Sequence, residues 1–232
     1  MLVVAHRTLP LDHPENSIAG IVGAAAAGAD AVEVDVRLTR DGVAVLTHDP
    51  IPWRTMRSLV PVRWRRSRSF GRLRVRADGS HPPRFAEAVE ALPVGLKVAV
   101  DVKDGRSMAA AIDVLVAAGR LPDALLWSSH RDAVQVAAAR APDVERAWLQ
   151  NTTTPPSAMD YCRAAAELGA KAVSVMDVSL TPEVVATGRG LGLVVYSWVR
   201  KLEVQDQVIA SGPDGIVTDW VNEARASIRS IN

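Results

Sequence analysis

The sequence predicts a (β/α)₈ TIM barrel with a small hairpin insertion after its second strand and a long basic loop. Three observations carry that prediction. Short β-branched runs alternate with Ala- and Leu-rich stretches of helical length along all 232 residues. Eight strand–helix pairs fit this rhythm, the count of a compact barrel. Acidic and basic residues also recur where strands end, the face on which such barrels carry their sites. With 48% hydrophobic residues the chain can bury a large core. An open doubly wound sheet is the second choice, because alternation alone does not establish closure.

Taken in order, strands are predicted over 2–6, 31–38, 97–103, 124–129, 145–150, 172–177, 193–199 and 215–219. Helices fit 17–28, 84–92, 107–118, 131–141, 157–169, 181–190, 201–211 and 221–229. Asn16 or Ser17 caps the first helix and Ser107 the third, and Thr181-Pro182-Glu183 reads as N-cap, first position and first-turn acid. Gly28, Gly119, Gly169 and Gly212 stand where helices should stop. The rhythm breaks once. Asp41-Gly42 reads as a tight turn into an extra strand over 43–49. Residues 50–83 follow without periodicity and carry nine arginines together with Trp53, Trp64 and Phe70. This stretch reads either as a solvated basic loop or as a lid that attracts an anionic substrate or an acidic membrane surface, with 54–76 as its contact segment. No linker is visible, so 1–232 reads as one domain with an insertion over about 43–83.

A net charge of +1 gives no global attraction to nucleic acid, and no nucleic-acid partner is expected. The single cysteine, Cys162, excludes an internal disulfide and reads as a buried packing residue. Met1-Leu2-Val3-Val4-Ala5 lacks the basic start and long apolar core of a signal peptide. No apolar run approaches the ~20 residues of a membrane span. A cytoplasmic location is the expectation.

The chemistry is concentrated in Val32-Glu33-Val34-Asp35-Val36. Side chains alternate along a strand, so Glu33 and Asp35 share one face about 6.5 to 7 Å apart, with the valines on the other. Buried carboxylates require a compensating cation. Val98-Ala99-Val100-Asp101-Val102-Lys103 repeats the pattern, placing Asp101 and Lys103 on one face. Glu33, Asp35 and Asp101 make an all-oxygen set suited to a hard ion such as Mg²⁺ or Ca²⁺. Arg7 and Lys103 can hold phosphate oxygens. His6 and His48, at strand ends, can pass protons as base and acid. Together these groups describe metal-assisted displacement at phosphorus. Each has a structural reading of its own, as a strand-end histidine, an internal Asp-Lys ion pair or a half-exposed acidic strand. Only their conjunction points to catalysis.

The same residues carry a family resemblance. His6-Arg7, then Pro14-Glu15-Asn16-Ser17, then Glu33-Val34-Asp35 through Thr39-Arg40-Asp41-Gly42 to His48-Asp49, resembles the signature of the glycerophosphodiester phosphodiesterase family. The family pattern is H-R-G, P-E-N-T and an E-x-D block closing on D-G and H-D. Gly212-Pro213-Asp214-Gly215-Ile216-Val217-Thr218-Asp219 resembles the family's ending, and Tyr196-Ser197-Trp198-Val199 its W-T-V strand. The resemblance implies a (β/α)₈ barrel that hydrolyses small-molecule glycerophosphodiesters to sn-glycerol 3-phosphate and an alcohol. It also implies a cyclic phosphate made by attack of the substrate's own glycerol hydroxyl and then opened by water. By that resemblance His6 and His48 are the acid/base pair, and Glu33, Asp35 and Asp101 the metal ligands. Arg7, Lys103 and Trp198 would bind substrate, and Glu15 would lie near the metal or the first histidine, with Asn16 beside it.

Three positions depart from the family pattern. The glycine of H-R-G is Thr8, the E-x-K of the third strand is Asp101-Val102-Lys103, and Pro50-Ile51-Pro52-Trp53-Arg54-Thr55 replaces the L-D-R-T-T-N-G stretch. Thr8 alters the loop path or narrows the mouth, Asp101 still ligates but reaches about one methylene less, and the replaced stretch bears on substrate more than on chemistry. Two alternatives stand beside the first reading. One is a lysophospholipase D-like activity on lipid substrates. The other is a non-catalytic barrel that binds phosphorylated ligands.

Overall fold

Runs of valine, isoleucine and alanine fold into β1 (Leu2–Ala5), β2 (Ala31–Leu38), β3 (Ala44–Leu46), β4 (Lys97–Val102), β5 (Ala124–Ser128), β6 (Glu145–Leu149), β7 (Ala172–Met176), β8 (Val194–Trp198) and β9 (Gly215–Thr218). The computed structural model describes residues 1–231. All neighbouring strands except β3 pair in parallel, in the order β1-β9-β8-β7-β6-β5-β4-β2. Pairing of Val4 with Ala31 and of Ala5 with Val32 joins β1 back to β2. The eight-stranded sheet is therefore closed, and the open-sheet alternative is excluded.

The helices are α1 (Ile18–Ala26), α2 (Trp53–Met56), α3 (Ser67–Phe70), α4 (Phe85–Glu90), α5 (Ser107–Ala117), α6 (Arg131–Arg140), α7 (Pro155–Glu167), α8 (Pro182–Gly190), α9 (Gln205–Ala210) and α10 (Val221–Ile231). Ser17 caps α1 by accepting from the Gly20 N–H at 3.0 Å, and Thr181 caps α8. The four expected stop glycines all have positive φ. Two helix starts differ from expectation. α7 begins at Pro155, because Thr154 caps it and proline suits the first turn. Ser107 is not the cap of α5 but its buried first residue, with Arg106 at the cap position. The 201–211 stretch enters through a 3₁₀ turn, Leu202–Val204, before α9.

Strand alternation sorts the core into two layers. Val32, Val34, Val36, Val98, Val100 and Val102 pack outward with Met108, Ile112 and Leu115 of α5. Each fully buried side chain of this kind contributes roughly 1.5–3 kcal/mol. Val4, Ala99, Leu125, Trp127, Tyr196 and Val217 fill the barrel interior. Above that layer, toward the C-terminal ends of β2 and β4, Glu33, Asp35 and Asp101 are buried side chains. Register sets Asp35 beside Asp101.

The insertion is more ordered than the sequence reading anticipated. β3 is shorter than predicted and pairs antiparallel with β2, Val36 with Leu46 through Leu38 with Ala44. Beyond it, α2, a 3₁₀ turn (Val62–Trp64) and α3 bury Met56, Val62 and Phe70 against Val45. Segments of three and four residues are too short to show periodicity, which is why they read as structureless. Among the described residues, no helix is long and apolar enough to cross a membrane.

Candidate active site

The C-terminal mouth of the barrel encloses a cavity of about 440 Å³ lined by His6, Arg7, Glu33, His48, Asp101, Lys103, Trp198 and others. Seven of the ten residues singled out in the sequence thus face one space. Asp35 lies behind the lining at 0% exposure. Asn16 supports it, donating from Nδ2 to Oδ2 at 2.7 Å while its Oδ1 accepts the Asp35 N–H at 2.8 Å. Glu15 is set off from the cavity: it takes both terminal nitrogens of Arg54 at 2.7 Å and comes within 3.8 Å of Arg7. It reaches the first loop through Arg7, whose Nε lies 3.5 Å from Asp35.

Ligand oxygens from Glu33, Asp35 and Asp101 lie within 4.8 Å of one another. Glu33 accepts the Arg7 backbone N–H at 2.7 Å, and Arg7 Nε is 3.5 Å from Asp35. Lys103 Nζ pairs with Asp35 Oδ1 at 2.9 Å and hydrogen-bonds Asp101. Burial, reinforced by Asp35, raises the Glu33 pKa well above the ordinary carboxylate range. Burial raises Asp101 as well, against the pull of Lys103. At Asp35 burial pushes the same way but is outweighed by Lys103, Arg7, His48 and Asn16, which hold it at about 2. Lys103 is desolvated, yet the three carboxylates raise its pKa and keep it charged.

This cluster fits a divalent ion. Three carboxylates face two cations, and Oδ1 of Asp101 is buried without a hydrogen-bond partner. An acceptor-only oxygen in that position calls for a cation. An all-carboxylate set matches a hard ion and not a tetrahedral zinc.

Each histidine is oriented by a carboxylate. Asp219, just after β9, meets His6 Nδ1 at 2.8 Å, and Asp49 meets His48 Nδ1 at 2.8 Å. This arrangement leaves Nε2 of both rings for chemistry. The Trp198 ring lies 5.4 Å from that of His6, fixing one wall. Sequence reasoning quoted Asp49 and Asp219 inside motifs but gave them no role. Their signal was adjacency to a histidine and position after the last strand. It also missed Arg54, which donates from Nε to Asp49 at 3.1 Å, and Arg37, which donates to the carbonyls of His48 and Lys103 at 2.8 and 3.2 Å. Of the other strand-end polar residues, Ser129 and Gln150 line the cavity. Ser128 instead bonds the Val102 carbonyl, and Asp177 pairs with Arg200.

Thr8 replaces the glycine of the resemblance under tension. Arg7, Thr8 and Leu9 all have left-handed backbone, φ 43°, 61° and 66°. A β-branched residue is rarely found there. Thr8 is buried, and its Oγ1 accepts the Ser17 N–H at 3.1 Å, which compensates part of the strain.

A closed (β/α)₈ barrel whose mouth combines buried carboxylates with two carboxylate-anchored histidines defines a site that could hold a metal ion beside two oriented imidazoles. A family model described as the glycerophosphoryl diester phosphodiesterase family matches residues 6–223, and the chain belongs to that family. Glycerophosphodiester phosphodiesterase 1 of Mus musculus is 38% identical over 117 residues, 47% of this chain and 35% of that protein. The glycerophosphodiester phosphodiesterase of Caldanaerobacter subterraneus is 48% identical over 54 residues, 23% of this chain and 22% of that protein. These matches therefore span about a third or less of the curated relatives' lengths. Among solved structures, a putative glycerophosphoryl diester phosphodiesterase from Silicibacter pomeroyi aligns with TM-score 0.88 at 22% identity, covering 100% of this chain and 94% of that one. An Oleispira antarctica phosphodiesterase in complex with the product sn-glycerol-3-phosphate aligns with TM-score 0.87 at 22% identity, covering 99% and 97%.

Proposed function

We propose that this chain, acting as a single domain, hydrolyses glycerophosphodiesters to sn-glycerol 3-phosphate and an alcohol, and that Glu33, Asp35 and Asp101 hold a divalent ion, Mg²⁺ or Ca²⁺. The observation that carries the reading is the shared cavity, in which a buried carboxylate triad meets two histidines whose Nδ1 atoms are each fixed by an aspartate. A bound divalent ion supplies Lewis-acid stabilisation of charge on the phosphoryl oxygens. Arg7, at the cavity wall, binds phosphate oxygen, and the Lys103 ammonium adds the proton not spent on Asp35 and Asp101. One imidazole removes at Nε2 the proton of the substrate's own glycerol hydroxyl as its oxygen bonds phosphorus, and the other protonates the alkoxide that leaves. With the roles reversed, the two then deprotonate the water that opens the cyclic phosphate and protonate the ring oxygen it releases. Asp49 and Asp219 hold the rings in register for both transfers. Trp198 covers the apolar edge of the glycerol.

The test is release of sn-glycerol 3-phosphate from glycerophosphocholine and glycerophosphoethanolamine with Mg²⁺, with Ca²⁺ and with EDTA. Metal-dependent, EDTA-sensitive turnover supports the proposal. Binding of glycerol phosphate without turnover under any metal would favour a barrel that only binds phosphorylated ligands.

A second reading, action on lysolipids at a membrane surface, is favoured by one observation. Arg57, Arg63, Arg66, Arg68, Arg72, Arg74 and Arg76 are exposed and make no ion pair among the described residues, and Trp53 and Trp64 are exposed beside them. Such a surface suits peripheral contact with anionic lipid on the cytoplasmic side. Co-sedimentation with anionic vesicles, together with choline release from lysophosphatidylcholine, separates this reading from the first.

A further inference from the structure

A second cleft of about 560 Å³ lies beside the catalytic cavity, between the insertion and the loops that follow β4 and β5. Lys103 lines both spaces. Arg37, Arg63, Arg106 and His130 also line the second cleft, with Asp104 as its one carboxylate. Asp104 is already engaged by Arg106, at 2.9 and 3.1 Å. Arg37 and Arg63 make no ion pair among the described residues. Arg37 is held rigidly, with Nε on the His48 carbonyl and one terminal nitrogen on that of Lys103. The wall between the two spaces is thus the backbone of a catalytic histidine and of the site lysine. The cleft beyond that wall is lined by three arginines.

We propose that this cleft is a subsite for an anionic group on the alcohol moiety, so that the preferred substrates are phosphodiesters whose alcohol carries a further phosphate. The inference rests on the phosphodiesterase reading above and deepens it. Guanidinium groups bind phosphate through paired, charge-assisted hydrogen bonds; Arg63, with no carboxylate partner, keeps that capacity, while Arg37, with Nε and one terminal nitrogen on carbonyls, offers its charge and its other terminal nitrogen. The insertion contributes Arg63, and so this chain's departure from the family pattern after His48-Asp49 acquires a chemical purpose. Arg37 is the fixed wall of the subsite. Arg63 and Arg106 are its adjustable arms.

The matched pair glycerophosphoinositol and glycerophosphoinositol 4-phosphate tests this, since they differ by one phosphate. Wild type is expected to show kcat/KM about tenfold higher for the phosphorylated member, the factor one charge-assisted contact supplies. Arg63→Ala and Arg106→Ala should bring that ratio below about twofold while leaving turnover of glycerophosphoinositol unchanged. Arg72→Ala removes an equal charge from the insertion outside the cleft and should keep the ratio. Equal kcat/KM for the two substrates in wild type, or the same loss in Arg72→Ala as in Arg63→Ala, overturns the subsite and leaves the phosphodiesterase reading intact. If neither compound is turned over, titration calorimetry of both with EDTA-treated protein decides the question. Tighter binding of the phosphorylated compound that Arg63→Ala abolishes supports the subsite, and equal binding refutes it.

Discussion

Arg54 offers the sharpest test of how the insertion serves the catalytic mouth. Its two terminal nitrogens hold Glu15 at 2.7 Å, and its Nε holds Asp49 at 3.1 Å. Asp49 in turn fixes His48 Nδ1 at 2.8 Å. The Arg54 side chain is 52% exposed, so screening limits its contribution to folding to about 1 kcal/mol or less. Arg54→Ala should therefore fold with a melting temperature within a few degrees of wild type. Its activity should fall further, because Asp49 loses its second anchor and the His48 ring loses orientation. Losses of supporting partners of this kind reduce rates about 10- to 100-fold. Steady-state kinetics on glycerophosphocholine should show that loss in kcat, with KM within about twofold. Arg54→Lys, which makes one contact where the fork made three, should recover only part of it. Glu15→Gln breaks the bidentate pair but leaves the Asp49 contact, and should cost little. Wild-type kcat in Arg54→Ala, or an equal loss in Glu15→Gln, would refute the positioning role.

Further outcomes follow from the same geometry. His6→Ala and His48→Ala should each reduce glycerol phosphate release by at least about 100-fold, and wild-type-like rates in either would remove it from the acid/base pair. Without metal, stability should depend on pH in two opposed ways. Glu33 and Asp101, raised chiefly by burial, contribute stability that is complete below their unfolded values near pH 4 and lost as pH rises through their folded values. Asp35, held at about 2, contributes stability present above about pH 4 and lost as pH falls toward 2. Thermal melts in EDTA should thus show Glu33→Gln more stable than wild type at neutral pH, by roughly 2–4 °C; a lower melting point would contradict the raised Glu33. Thr8→Val keeps the shape but leaves the buried Ser17 N–H unpaired, which should cost about 1–3 kcal/mol in chemical denaturation.

Most of the barrel was legible because the barrel strands obey a period of two. In β2 and β4 valines alternate with acids, so one face had to meet helices and the other a polar interior. The triad and both histidines were legible because strand ends converge on one mouth, whereas Trp198 was singled out only through the family resemblance. What the sequence hid was tertiary. Arg54 lies 39 residues from Glu15, and Asp219 lies 213 residues from His6. No local pattern reports those contacts. The insertion was illegible because its turns are shorter than one hydrophobic repeat and its small core, Val45, Met56, Val62 and Phe70, draws single residues from separate segments. The internal Asp101–Lys103 ion pair was one of the readings the sequence offered; the second pairing of Lys103, with Asp35, was not foreseen.

The central claim is that Glu33, Asp35 and Asp101 together hold the ion on which turnover depends. Its most direct test is titration of EDTA-treated protein with Mg²⁺ and with Ca²⁺, reading bound ion and glycerophosphocholine turnover in the same samples, for wild type and Asp35→Asn. The account predicts that activity and occupancy rise together in wild type with one of the two ions, and that Asp35→Asn, though folded, shows neither. Full activity in wild type with no ion bound, or undiminished binding and turnover in Asp35→Asn, would contradict it.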